Sequence, residues 1–504
     1  MIGWLGDFLR FWWGLLYWNA RKTHYRLRRG RVRCPCQNPS DSGRARETGC
    51  DAVQHWHEPR RFRRVCPLLI DTPDGLRCSV DFADVRPFWG RALASYAGAA
   101  AALYVAGVIV TFVVLRVVGY PVSPLTIAWP PRWPQLRLAR SEYFVAKAQR
   151  ALDANRVNEA MLSLDIAYQN NPRNYAVGLQ LARLLSVAQP EPSNQLFTIL
   201  MRDHADQRAV TAEAWFKALI GHGDFPRIAK LAAERLAADE AQRPAWTNAL
   251  LIATRLSGDN QPLLDLVNAK TGTLPPDYLN IIKTELEVRK GATAEIVLTL
   301  AKPLPDSAAP FACYYQIQRL TSLGQAEAAL TILDGYLRAS RVGAVEAFQL
   351  RLEILATLGR TDLLRERLEG GRVSSREVEL ISAHLVRHPD AVVLAALWSS
   401  LGRSELPADT RSYGAYLSLF AACGAAGDWD KLQVAANKLK ELTASRFDAL
   451  GLVETFFRRG AGGARIENIL PAMPGLPLET TYALCDRYYR AAAPAIRVPA
   501  ASRP

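Results

Sequence analysis

Along most of the chain, apolar positions recur three and four residues apart, the mark of helices that bury one face. From about residue 137 to 490 these stretches alternate with short breaks at regular intervals. "LDANRVNEAM" (152–161), "LIGHGDFPRI" (219–228), "RLSGDNQPLL" (255–264), "VRKGATAEIV" (288–297), "TSLGQAEAAL" (321–330), "ATLGRTDLLR" (357–366), "GAAGDWDKLQ" (424–433) and "FRRGAGGARI" (457–466) share one form. Their pivots are Asn155, Gly223, Gly258, Gly291, Gly324, Gly359, Gly427 and Gly460, separated by 68, 35, 33, 33, 35, 68 and 33 residues. Every gap is one or two units of about 34. A pivot glycine ends a helix by taking a left-handed conformation. The doubled gaps hold weaker breaks, "AQPEPSN" in the first and His388-Pro389-Asp390 in the second. The pattern predicts a mostly α protein, an α-solenoid of about ten helix–turn–helix repeats over residues 137–490.

The front of the chain follows other rules. Leu93 to Leu115 runs 23 residues without a charge. As a helix it is about 34 Å long, enough to cross a hydrocarbon core of roughly 30 Å. This predicts one transmembrane helix over residues 93–118. In residues 1–18, Gly3, Asp7, Arg10 and Gly14 share one helical face and aromatic and aliphatic residues cover the rest. An interfacial amphipathic helix fits best, with a short second span as the alternative. The proline-rich stretch 119–136 predicts an extended linker, and 491–504 a disordered tail.

Charge sharpens this division. The formal charge is +14, but residues 1–92 hold 17 Arg/Lys against 9 Asp/Glu, whereas 141–504 hold 41 against 39. Basic residues are retained on the cytoplasmic side, so residues 19–92 are expected in the cytosol and the solenoid outside it. The expected location is an integral membrane protein of a bacterial inner membrane with a periplasmic solenoid, its basic N-terminus touching anionic lipid. A nucleic-acid partner is confined by charge to the front end, and no recognition helix is evident there, which argues against one.

Residues 19–92 also concentrate cysteine. Cys34, Cys36, Cys50, Cys66 and Cys78 fall within 45 residues, with His55 and His57 among them. Cytosolic redox poise disfavours disulfides, leaving a structural zinc site or free thiols. The candidate zinc ligands are Cys34, Cys36, Cys50 and Cys66, with Cys78 or His55 as substitutes, although the usual C-x₂-C knuckle is missing. "LLIDTPDGLRCSV" adds a turn between two short β-like runs, as in ribbon-type metal folds. Cys313, Cys423 and Cys485 sit in apolar helical surroundings and are expected to be buried and inert.

A 34-residue helix–turn–helix period resembles the tetratricopeptide family. The clearest unit is "SEYFVAKAQRALDANRVNEAMLSLDIAYQNNPRN", in which Ala148, Ala160, Ala167 and Pro172 fall where that family places small residues and a closing proline. Trp215 and Trp246 suit a bulky first-helix position, while later units keep the turn and lose much of the consensus. The resemblance implies a superhelix with a long concave surface of the kind that binds peptides or other proteins, and the missing catalytic motifs favour a protein that is not an enzyme. Exported repeat proteins of this build resemble components of polysaccharide or protein export machineries. No phosphate loop, H-E-x-x-H or G-x-S-x-G motif is present. His204, His222, His384 and His388 are expected to be surface or capping residues. The alternative function is a transmembrane regulator whose basic, metal-stapled front end binds nucleic acid or a cytosolic partner.

Overall fold

Left-handed residues set the architecture. In the structure, a computed structural model, the described residues are 2–28, 69–73, 75–78, 87, 89–269, 274–291, 293–404, 412–443, 449–459 and 465–489. Asn155, Gly223, Gly258, Gly291, Gly324, Gly359 and Gly427 all have positive φ, between 56° and 142°. Gly460 lies outside the described residues. The chain is mostly helical and divides into two units, Met1–Phe144 and Val145–Pro504.

The first unit contains α1 (Ile2–Leu27), strands β1 (Leu69–Thr72) and β2 (Gly75–Cys78), α2 (Trp89–Val118), α3 (Pro124–Ala128) and the start of α4 (Pro134–Asp153). α1 continues nine residues past the expected end at 18. Its polar residues tolerate the helix by bonding back along it: Asn19 Nδ2 donates to the Leu15 carbonyl at 3.0 Å and Thr23 Oγ1 to the Asn19 carbonyl at 2.8 Å. α2 begins at Trp89 rather than 93, carrying Arg91 in its first turn. It is the one helix among the described residues long and apolar enough to cross a membrane, and among those residues its most apolar stretch is not buried. α1 runs antiparallel to the start of α2, with Trp12 and Tyr96 ring centroids 5.2 Å apart and Trp89 Nε1 donating to Thr23 Oγ1 at 2.7 Å. The strands pair antiparallel, Leu69 opposite Cys78 and Thr72 opposite Gly75, as the turn between β-like runs predicts.

The expected extended linker is instead partly helical. α3, a 3₁₀ turn at Pro130–Arg132 and the start of α4 fill much of 119–136. Pro124, Pro130 and Pro134 each open an element, where a missing N–H costs nothing.

The second unit is a succession of helix pairs. After α4 come α5 (Val157–Asn170), α6 (Tyr175–Ala188), α7 (Pro190–Asp203), α8 (Arg208–Gly221), α9 (Phe225–Ala238), α10 (Arg243–Ser257) and α11 (Gln261–Asn268). α12 (Pro276–Lys290), α13 (Ala294–Leu300), α14 (Pro310–Ser322), α15 (Ala326–Arg338), α16 (Ala344–Thr357) and α17 (Thr361–Gly370) follow. α18 (Ser375–Arg387), α19 (Ala391–Arg403), α20 (Tyr413–Ala426), α21 (Trp429–Thr443), α22 (Ala449–Arg458), the single turn α23 (Ile466–Ile469) and α24 (Leu478–Tyr488) complete it. Both weak breaks are real: α6 ends beside Pro190, and α18 ends before Pro389, which disfavours helix at His388.

Small residues bring paired helices together, and Ala148, Ala160 and Ala167 are almost fully buried. Phe216 packs edge-on to Trp246 with ring centroids 5.9 Å apart, and Trp215 stacks on Phe197 at 6.0 Å. Cys313, Cys423 and Cys485 are buried as expected, and burial pushes the Cys423 and Cys485 thiols up to about 12. Gly424 faces the Phe457 ring closely enough that a Cβ would collide with it.

The C-terminal segment folds back. α24 packs on α18 and also touches α10, more than 200 residues earlier in the chain. Arg487 Nη1 donates to the Val386 carbonyl at 2.8 Å, Thr480 Oγ1 meets Ser418 Oγ at 2.8 Å, and Tyr489 lies edge-on to Phe225 at 4.7 Å. The coil of helices is therefore closed by its own last helix.

Candidate functional site

The first helices of several units and α24 together line a cavity of about 460 Å³. Its walls include Phe216 from α8, Trp246 from α10, Tyr314 from α14, Gln349 from α16, Arg387 from α18 and Tyr482 from α24. Five units and the closing helix thus contribute one side chain or more each. Trp246 Nε1 is buried without a hydrogen-bond partner. An unmet buried donor costs about 1–3 kcal/mol, and this one has almost no surface open to the cavity. Burial raises the Tyr314 phenol to about 12 and also raises Tyr482, so both remain neutral donors at physiological pH.

Arg387 joins this cavity to a cluster of titratable groups. α18 starts with a capping box, Ser374 Oγ accepting from Glu377 N–H and Glu377 reaching back to Ser374 N–H. Its end at Arg387 puts His384 in the last turn and His388 at the C-cap, one above the other. From α16, Glu353 meets both: Oε1 is 3.5 Å from His384 Nδ1 and Oε2 is 3.1 Å from His388 Nε2. Arg387 Nη1 lies 3.1 Å from Glu353 Oε1, and its Nε donates to Asp486 Oδ2 on α24 at 2.9 Å. Burial alone would raise the Glu353 carboxyl. The facing imidazoles and the Arg387 guanidinium outweigh it and hold the carboxyl well below the usual range. Arg376 on α18 pairs with Glu479, a second tie between α18 and α24.

His384 corrects the expectation that the histidines are surface or capping residues. It is 3% exposed, and its Nδ1 has no hydrogen-bond partner. The signal was in the sequence: His384 and His388 are four apart, the helical spacing that puts two imidazoles on one face. His388 does sit at a helix end, and His204 caps α7. His222 follows α8 and bonds the Ser186 carbonyl through its ring.

Of the candidate zinc ligands, Cys34, Cys36, Cys50, Cys66 and His55 lie outside the described residues. Cys78 ends β2. The only group of three or more metal-capable side chains among the described residues is Glu353, His384 and His388.

Compared with known proteins, the chain matches no family model, no curated protein and no solved structure.

Proposed function

We propose that the protein is a non-enzymatic, membrane-anchored scaffold that binds a segment of a partner protein in the cavity between its first helices and α24. The carrying observation is that cavity, built from side chains of five units and of α24 and furnished with aromatic faces and amides. Peptide segments supply both apolar side chains and backbone carbonyl acceptors, which is what such a lining recognises. The 34-residue pivot spacing supports a tetratricopeptide-like array of about ten units, in which inner faces are the usual binding surface. The uncharged stretch of α2 supports one span, and the arginine excess before it supports a cytosolic N-terminal side with the helical array across the membrane. In this reading the N-terminal cysteines hold a structural zinc ion, and the partner belongs to an envelope assembly such as one exporting polysaccharide or protein.

A photo-reactive side chain at Gln349, inside the cavity, should capture a defined partner in intact cells. The same group at Leu298, exposed on α13, should not. Capture that survives Trp246→Ala unchanged, or equal capture at both positions, would place the binding surface elsewhere.

A further inference from the structure

We propose that Glu353, His384 and His388 form a binding site for a divalent transition-metal ion, for which zinc is the probe. One ligand atom from each lies within 4.8 Å of the others. Zinc bonds of about 2.0–2.1 Å in a tetrahedron set neighbouring donors about 3.3 Å apart. Glu353 Oε1 lies 3.5 Å from His384 Nδ1 and Oε2 lies 3.1 Å from His388 Nε2, each near that value, while one donor atom from each residue falls within 4.8 Å of the others. Closing the tetrahedron needs the carboxylate to turn one oxygen toward both imidazoles and the imidazoles to draw together, and the imidazoles already share one helix face.

Further features favour an ion over a plain hydrogen-bonded cluster. His384 Nδ1 is buried, aimed at the carboxylate and without a hydrogen-bond partner, so a coordinate bond would satisfy it. Two imidazoles and one carboxylate suit zinc and its neighbours in the d-block, whereas magnesium and calcium take oxygen. Arg387 is the competitor for Glu353, yet Asp486 holds the same guanidinium through Nε, so Arg387 keeps a partner when Glu353 turns to a metal. Glu353 and Asp486 together outweigh Arg387 in formal charge, which leaves the site attractive to a cation. Three protein ligands leave a fourth position for water, and His388 is half exposed, which gives an entry path. A bound ion would join α16 to α18 and, through Arg387 and Asp486, brace α24.

The test uses the detergent-solubilised full-length chain, with the N-terminal cysteines intact and, in parallel, with Cys34, Cys36, Cys50, Cys66 and Cys78 all changed to serine. Zinc content, affinity and the X-ray absorption ligand shell are measured for each, together with His388→Gln. His388 is half exposed at a helix end, so this variant should fold, which melting without zinc verifies. The serine protein should bind one zinc with a nitrogen and oxygen shell, and His388→Gln should weaken it at least tenfold. In the cysteine-intact protein the same substitution should remove one equivalent, whatever the cysteines hold. Zinc should raise the melting temperature of the parent and not of the variant. No zinc in the serine protein, unchanged affinity in His388→Gln, or a sulfur-containing shell in the serine protein would overturn the proposal. The partner-capture result does not enter any of these readouts.

Discussion

Glu285 on α12 and Glu353 on α16 occupy the same place in their units, each six residues before a left-handed glycine. Each also receives an arginine from 34 residues later, Arg319 and Arg387 respectively. Their surroundings then diverge. Glu285 is fully buried and accepts from Arg255, Arg289 and Arg319 and from the Tyr315 hydroxyl, its Arg319 Nη2 contact at 2.6 Å. Its oxygens are saturated by donors that stay charged or neutral across the physiological range. Glu353 has one arginine and two imidazoles and is a quarter exposed. The repeat thus supplies one position twice, once as a sealed internal brace and once with coordinating capacity left over beside the cavity.

The contrast can be broken at its strongest point first. Glu285→Gln strands three guanidinium groups, and denaturant unfolding should show a loss of about 3–5 kcal/mol, the cost of removing one partner of a buried pair. The acid limb sharpens the same point. The arginines hold the Glu285 carboxyl at about 2, below its ordinary value of 4.5, against a burial effect that would raise it. Its contribution is therefore complete above pH 4.5 and lost as pH falls toward 2, roughly 3 kcal/mol in all, and Glu285→Gln should lack that part of the slope. Glu353→Gln should cost less, about 1–3 kcal/mol, because water screens a partly exposed site. Arg387→Lys, which replaces a planar fork by a single point charge, should cost about 1 kcal/mol and loosen α24 in hydrogen exchange. Smallest is His388→Gln without zinc, where the melting free energy should stay within about 0.5 kcal/mol of the parent.

The sequence made the turns legible because a left-handed residue has few substitutes: glycine or asparagine stands at each, and those in the described residues have positive φ. It also carried the ion pairs, since Glu285 to Arg319 and Glu353 to Arg387 repeat the 34-residue interval, but a repeat read for glycines and alanines passes over charges. The His384 and His388 pair shows only in their spacing of four, which neither histidine carries alone. The return of α24 to α10 left no local mark at all; contacts such as Arg487 to Val386 join residues 101 apart in sequence, and no periodicity encodes them. The linker misled because proline reads as a helix breaker, although at the first position of α3 and α4 it is a helix opener.

The closing helix has a consequence for how such a chain can change over generations. An open array of repeats lengthens or shortens by duplicating or deleting a unit, since each unit meets only its neighbours. Here Tyr489 must reach Phe225, and Arg487 must reach Val386, across all the units between. One unit more or fewer would shift α24 off both ends of its span. The number of units between Phe225 and Tyr489 is therefore held by geometry, and variation is left to the side chains rather than to the count of repeats.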